Sequence, residues 1–159
     1  ILSTPVNLQD LIAGELMWGA TKSVFYGSII IIAISLFRLI DSPLIVLIIP
    51  ILFVSGLLFA QLSMICAAIV PGIDSFNYYY TLFMTPMFLF SGIFFPLDPL
   101  PTIITYIAYF TPLYHLANIC RSLSSGNFPG SLLGITWLFA AVIVLFPIPF
   151  RLMRKRLIK

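Results

Sequence analysis

Charge is what this sequence has least of, because Asp, Glu, Lys and Arg together make up only 8% of its 159 residues. A soluble domain carries about 25% charged residues, so the chain has too few of them to cover a surface that faces water. That shortage excludes an ordinary soluble fold. The hydrophobic fraction of 61% and the mean hydropathy of +1.14 instead predict a chain that faces lipid.

Cysteine and histidine are scarce as well, and their scarcity bears on enzymatic chemistry. Cys66 and Cys120 are far apart and form no CxxC pair, and His115 is the single histidine. A metal site needs several such ligands at close spacing, and a catalytic histidine needs a nucleophile and an orienting partner. We therefore predict no metal, no cofactor and no catalytic residue, which disfavours a membrane-embedded enzyme. On a topology of four spans, the two cysteines lie on opposite sides of the membrane, and no disulfide is then expected between them.

Long apolar runs are what the chain has in abundance. The hydrocarbon core of a bilayer, about 30 Å thick, needs about 20 apolar helical residues to cross it. Four runs reach that length and predict an all-α, polytopic membrane protein: residues 18–37, 44–70, 76–95 and 131–150. A fifth run, residues 100–121, is long enough but is the most polar. Neither its composition nor its charged flanks decide whether it spans the membrane or enters and returns.

Basic residues are concentrated at the C-terminus, where the last nine positions hold five of the eight: Arg151, Arg154, Lys155, Arg156 and Lys159. A block of this kind can bind nucleic acid. Directly after an apolar run, however, it is typical of the cytoplasmic flank of a membrane helix. We therefore predict a cytoplasmic C-terminus that contacts membrane lipid, and no nucleic-acid partner.

Residues 5–18, ahead of the first apolar run, are predicted to form a short amphipathic helix. Asn7 or Asp10 can cap it, and its apolar side chains follow helical spacing at Leu8, Leu11, Ile12 and Leu16. A glycine pair ahead of Lys22 resembles a phosphate-binding loop, but in that loop the lysine follows the second glycine directly. The chain is therefore not expected to bind nucleotide or to hydrolyse ATP itself.

The run at 76–95 is rich in aromatic residues, of which it holds nine. Steps of three and four residues place one set on a single helical face, namely Tyr80, Phe83, Met87, Phe90 and Phe94. Such a face can serve core packing, or it can line a substrate path on which sugar rings stack, and the sequence leaves both open. Arg121 has two interpretations as well: a solvated or Asp98-paired side chain, or a contact for an anionic head group or substrate.

Two ordered motifs resemble the membrane subunit of type-2 ABC exporters. The first is the run GELMWGATKS at residues 14–23, and the second is PMFLFSGIFFPL at residues 86–97. Leu100-Pro101, the run TPLYH at 111–115 and Arg121 follow in the same order. The resemblance is nearest to the permeases that export polysaccharides and nodulation-type lipo-oligosaccharides.

The resemblance implies an architecture and a set of partners. Residues 1–159 would be the C-terminal two thirds or so of an ABC-2 transmembrane domain, since the sequence begins at Ile1 rather than Met. Residues 5–18 would be a coupling helix that fits a separate ATPase subunit, with the contacts made by Leu11, Ile12, Glu15 and Trp18. Residues 100–121 would be a re-entrant pair of short helices on the outer face, which leaves about four spans.

The resemblance also implies a function. Two permease copies, most simply a homodimer, would form the path in the cytoplasmic (inner) membrane, and carbohydrate or lipo-oligosaccharide would be exported through it. Drug or lipid efflux by the same fold is the alternative. A passive membrane scaffold is a further one, and it would show no dependence on an ATPase.

Overall fold

A computed structural model of the chain describes residues 7–39, 42–70, 76–93 and 102–157, and within these ranges all regular structure is helical. The predicted all-α class is therefore confirmed. A 3₁₀ turn at Pro43–Leu47 precedes the second helix, and a π-helical segment at Tyr80–Met84 joins the third to the fourth. The α-helices in chain order are α1 Leu8–Leu36, α2 Ile48–Ile69, α3 Phe76–Tyr79, α4 Thr85–Leu89, α5 Thr102–Phe110, α6 Pro112–Ser124, α7 Phe128–Leu145 and α8 Pro147–Leu157.

Three helical stretches are long and apolar enough to cross a membrane: α1, the 3₁₀ turn together with α2, and α7 continued by α8 as far as Lys155. Each holds at least 27 residues, which at 1.5 Å per residue extends about 40 Å and exceeds the hydrocarbon core of about 30 Å. Their outward faces carry many exposed large apolar side chains, including Leu36, Ile69 and Leu133. The chain is a membrane protein with several candidate spans.

The first of these helices includes two segments that the sequence suggested as separate elements. From Leu8 onwards, the proposed coupling helix at 5–18 continues into the span at 18–37 as one unbroken α1 of 29 residues. No proline lies between residues 8 and 36, so nothing removes a backbone donor there and the helix continues.

The run at 76–95 differs from the other three runs that were predicted to span the membrane. Its helical part ends at Leu89, and Gly92 follows with a φ of 73°, a left-handed conformation that suits glycine and ends a helix. The remaining residues of the run, 94 and 95, lie outside the described ranges. Of the four helices predicted to span, three therefore reach spanning length in the described part of the chain.

Two short helices, α5 and α6, occupy the polar run at 100–121. Thr111 separates them in an extended conformation (φ −83°, ψ 134°), because the residue before a proline is disfavoured in the α region. Pro112 then opens α6, where its missing N–H is not needed. With 9 and 13 residues, neither helix is long enough to cross a bilayer alone.

The core lies where α2, α6 and α7 meet. Its buried side chains are Ile48, Ile51, Leu58, Ile119, Leu123, Leu138 and Val142. Gly134 allows α7 to approach α6 closely, since a Cβ there would lie 2.8 Å from Cγ1 of Ile119. The small-residue spacing of Gly130 and Gly134 therefore serves packing within this chain.

Small residues also bring α1 against α2. A Cβ on Gly19 would lie 2.9 Å from the Cβ of Ala60, and one on Gly56 would lie 2.4 Å from the Cβ of Ser23. The Ser23 hydroxyl donates to the carbonyl of Leu52 across the same contact, at 3.0 Å. Close approach of backbones through small residues, with an added hydrogen bond, is how membrane helices associate where lipid offers no hydrophobic drive. The signal is present in the sequence, as Gly19, Ser23 and Gly27 stand four residues apart.

Candidate functional site

A large apolar cavity of about 930 Å³ opens between four parts of the chain. These are α2, the π-helical segment together with α4, then α5, and finally α7. Its walls include Leu58 and Leu62 of α2, Tyr106 and Phe110 of α5, and Trp137 of α7. Cavities of this size and character are where proteins commonly bind apolar or amphipathic small molecules. It is the strongest candidate for a functional site in the described part of the chain.

Three members of the predicted aromatic face line this cavity: Phe83, Met87 and Phe90. Tyr80 does not line it and is 61% exposed elsewhere on the surface. Phe94 lies outside the described residues. The structure thus brings the middle of the predicted face to one cavity and leaves its first member apart.

The π-helical segment accounts for the separation of Tyr80 from the rest. Pro86 has no N–H to donate and its ring crowds the carbonyl four residues earlier, so the helix widens over residues 80–84 and the N–H of Thr85 bonds to the carbonyl of Tyr80. The Thr85 hydroxyl donates to the same carbonyl at 3.0 Å. A wider turn changes the angular step between residues, so regular α-helical spacing holds for Phe83, Met87 and Phe90 but fails at Tyr80.

Among the residues that the structure describes, very few hydrogen-bonding side chains reach the cavity. Only Tyr106 and Trp137 among its aromatic residues carry polar atoms, and Thr111 supplies one hydroxyl. That hydroxyl already donates to the carbonyl of Ala108 at 2.7 Å. A sugar ring carries many hydroxyl groups, and each loses water on burial unless a partner replaces it. The cavity therefore suits a hydrocarbon chain better than a sugar ring.

Arg121, for which the sequence left open a solvated or Asp98-paired side chain and a contact for an anionic group, lies on α6 and donates through a terminal nitrogen to the carbonyl of Gly92. Asp98 lies outside the described residues. It does not line the apolar cavity. The contact ties α6 to the turn that ends α4, across 29 residues of sequence. In this conformation the arginine links two helical elements.

His115, on the same helix, is buried and packs between α5 and α7. Its Nε2 lies 2.7 Å from the carbonyl oxygen of Tyr109, so that nitrogen donates. Its ring stacks on Trp137 with the centroids 4.5 Å apart. Burial lowers the pKa of His115 below its usual value and favours the neutral ring. The histidine fastens the α5–α6 pair to α7, which is a structural role.

The predicted coupling residues diverge in their surroundings. Ile12 is 2% exposed and packs inside the chain, and Leu11 is half-buried. Glu15 and Trp18 are exposed, the latter by 57%. Lys22 places its Nζ 4.9 Å from the centroid of the Trp18 ring, a cation–π contact that holds the indole at the surface. Of the four predicted coupling residues, only Glu15, Trp18 and part of Leu11 are accessible to a partner.

Metal and thiol chemistry find no support in the described ranges. No group of three His, Cys, Asp or Glu residues there is arranged to hold a metal ion. Cys66 and Cys120 are both free thiols. What the described residues do offer is an apolar cavity and, near the start of α1, the exposed side chains of Glu15 and Trp18.

Two of the three span-length helices, α2 and α7, share a core with the short helix α6, and the third, α1, packs against α2. This arrangement defines a polytopic α-helical membrane protein. The chain belongs to the ABC-2 type transporter family, whose model matches residues 7–124. That match covers α1, α2, the interrupted helix at 76–89 and the α5–α6 pair. The family is one of membrane permease subunits and not of ATPase domains.

Several curated relatives bear the name Nodulation protein J. The protein of Rhizobium leguminosarum bv. viciae is 33% identical over 160 residues, which cover all of this chain and 62% of the relative. That of Rhizobium leguminosarum bv. trifolii is 31% identical over 163 residues, covering 61% of the relative. That of Sinorhizobium fredii is 35% identical over 120 residues, or 76% of this chain and 46% of the relative. The chain thus spans about half to three fifths of these relatives, and no solved structure matches it.

Proposed function

We propose that the chain is part of the permease subunit of an ATP-driven exporter in the cytoplasmic (inner) membrane. The observation that carries this proposal is the family match over residues 7–124, together with three helices of spanning length. Because the chain spans only part of its relatives, the activity, substrate and partners of the whole subunit belong to the proposal.

The proposed topology has four membrane passes, at about 18–37, 44–70, 76–95 and 131–150, with 100–121 re-entrant from the outer side. The short lengths of α5 and α6 support re-entry. The basic end of α8 supports a cytoplasmic C-terminus, because lysine and arginine are retained on that side of the membrane.

A separate ATPase subunit would drive transport, and a second permease copy would complete the path. We assign contact with the ATPase to the start of α1, where Glu15 and Trp18 are exposed and Leu11 is half-buried. Ile12, which packs inside the chain, would hold this part of α1 in place. A stiff α1 would carry the movement of the ATPase into the membrane.

For the substrate we propose an oligosaccharide that bears a lipid chain. The name of the relatives, Nodulation protein J, supports cargo of the nodulation type. The apolar cavity at Phe83, Met87 and Phe90 supports a hydrocarbon part, since few groups there can bond to sugar hydroxyls. The same cavity favours lipid efflux as the second candidate function.

Glu15 offers the sharpest test of the proposed coupling. Full-length subunit carrying Glu15→Lys, co-expressed with its proposed ATPase partner, should insert normally but lose ATPase association and transport-stimulated hydrolysis. Glu15→Gln is the matched variant, and it should lose less because it removes the charge without reversing it. Association is measured by co-purification and coupling by ATP hydrolysis in proteoliposomes. Normal transport and normal hydrolysis in Glu15→Lys would remove the coupling role from this part of α1.

A further inference from the structure

A second cavity lies between the first turns of α1 and the start of α8. It has a volume of about 500 Å³. Asn7, Leu8, Gln9 and Ile12 line it from α1, and Phe150, Arg151 and Arg154 line it from α8. Of the residues given roles in coupling or in the apolar cavity, only Ile12 lines it, and the packing role of Ile12 does not account for the two arginines.

Every charged side chain that lines this cavity, among the described residues, is positive. Two guanidinium groups line it, and no acidic side chain does. The acidic residues in the described part of the chain are Asp10 and Glu15, and both side chains are exposed outside its lining. The N-terminus of α1 lies on the same rim and adds the positive end of a helix dipole, although the arginine pair is what makes the site.

The depth of the cavity in the membrane follows from the sequence of α7 and α8. No charged residue occurs from Phe128 to Phe150, and Arg151 is the first one after that run. Phe150 ends this uncharged run and therefore lies at the hydrocarbon boundary, Ile12 adds a second apolar side chain to the floor of the cavity, and the two arginines lie on the water side. An occupant must carry a negative charge at one end and apolar groups at the other.

We propose that this cavity binds the phosphate of an anionic phospholipid from the cytoplasmic leaflet. The planar guanidinium forms paired hydrogen bonds to phosphate oxygens, and the apolar floor accepts the first part of the lipid tails. Basic pockets between membrane helices on the cytoplasmic side are suited to anionic head groups. The site requires only that the protein is embedded in the membrane, so it stands apart from the proposal that the subunit exports a substrate.

The test compares lipids and variants on the purified full-length subunit. Phosphatidylglycerol titrated into the detergent-solubilised protein should raise its melting temperature, and phosphatidylcholine should not. Arg151→Gln and Arg154→Gln should each weaken the apparent affinity for phosphatidylglycerol by roughly ten-fold or more, because each loses charge-assisted hydrogen bonds to the phosphate. Lys155→Gln is the matched control, because Lys155 is exposed on the same helix, carries the same charge and does not line the cavity.

Three outcomes would overturn the proposal. The first is an equal loss of affinity in Lys155→Gln, since general surface charge would then explain the effect. The second is equal stabilisation by phosphatidylcholine. The third is full stabilisation by inorganic phosphate alone, which would make the site one for a free anion. Native mass spectrometry of lipid retained by each single variant gives a second readout that does not depend on thermal unfolding.

Discussion

At the scale of single residues, Gly56 determines how closely α1 and α2 approach. A methyl group there would lie 2.4 Å from the Cβ of Ser23 and 3.0 Å from the Cα of Ala20. The second of these atoms belongs to the backbone of a long helix and cannot turn away as a flexible side chain would. The contact between the two helices therefore depends on the absence of a side chain at this position.

We expect Gly56→Ala to destabilise the protein by about 1–3 kcal/mol, the usual cost of forcing an extra group into a packed contact. The measurement is the melting temperature in detergent. Gly14→Ala is the control on α1, because a Cβ at Gly14 meets nothing within 4 Å. That variant should be neutral or slightly more stable, since alanine is the better helix former. Equal melting temperatures for the two variants would contradict the close contact.

At the scale of elements, the interrupted helix at 76–89 and α5 form part of the wall of the apolar cavity. The aromatic side chains of this wall either contact the substrate or pack the protein interior. We expect Phe83→Ala and Phe90→Ala to reduce transport per folded subunit more than they reduce stability. Loss of a phenyl ring that packs on the hydrocarbon chain of the substrate costs about 1.5–3 kcal/mol of buried apolar contact. Loss of a core phenylalanine would instead cost about 3–5 kcal/mol of stability.

Phe139→Ala is the matched control for this pair, because Phe139 is half-exposed on α7 and lies outside the cavity lining. Transport is measured in proteoliposomes with an acylated and a deacylated oligosaccharide, alongside melting temperature. A substrate role predicts a larger loss for the acylated cargo than for the deacylated one. A fall in stability with unchanged transport per folded subunit would assign the aromatic residues to packing.

How far the sequence predicts these elements depends on whether the signal is local. The shortage of charge and the length of the apolar runs are properties of the sequence alone, so lipid exposure and the all-α class could be predicted from it. Pro86 indicates a weak point in the helix, but not that the chain widens into a π turn that separates Tyr80 from Phe83. Helical spacing gives Ile12 an apolar face without saying whether that face meets the chain itself or a partner. The cavity requires α2, α5 and α7 to come together, which no local pattern encodes.

At the scale of the whole molecule, we propose that α7 and α8 together cross the membrane. Asn127 caps the start of α7, where its side chain accepts from the N–H of Gly130, and Lys155 stands at the far end of the same candidate span. In a Cys66→Ala, Cys120→Ala background, we expect Asn127→Cys to react with an impermeant maleimide in intact cells. Lys155→Cys should react only after permeabilisation, since basic flanks stay in the cytoplasm. Labelling of Lys155→Cys but not Asn127→Cys from outside would invert the topology.

The contact between α1 and α2 has a mechanical consequence. Where Gly19 meets Ala60 and Gly56 meets Ser23, no layer of flexible side chains separates the two backbones. Close-packed interiors have low compressibility and transmit strain, so the two helices tilt together as one stiff lever. A displacement applied at one end of α1 is delivered about 40 Å away, at the turn into α2, with little of it lost to sliding between the helices.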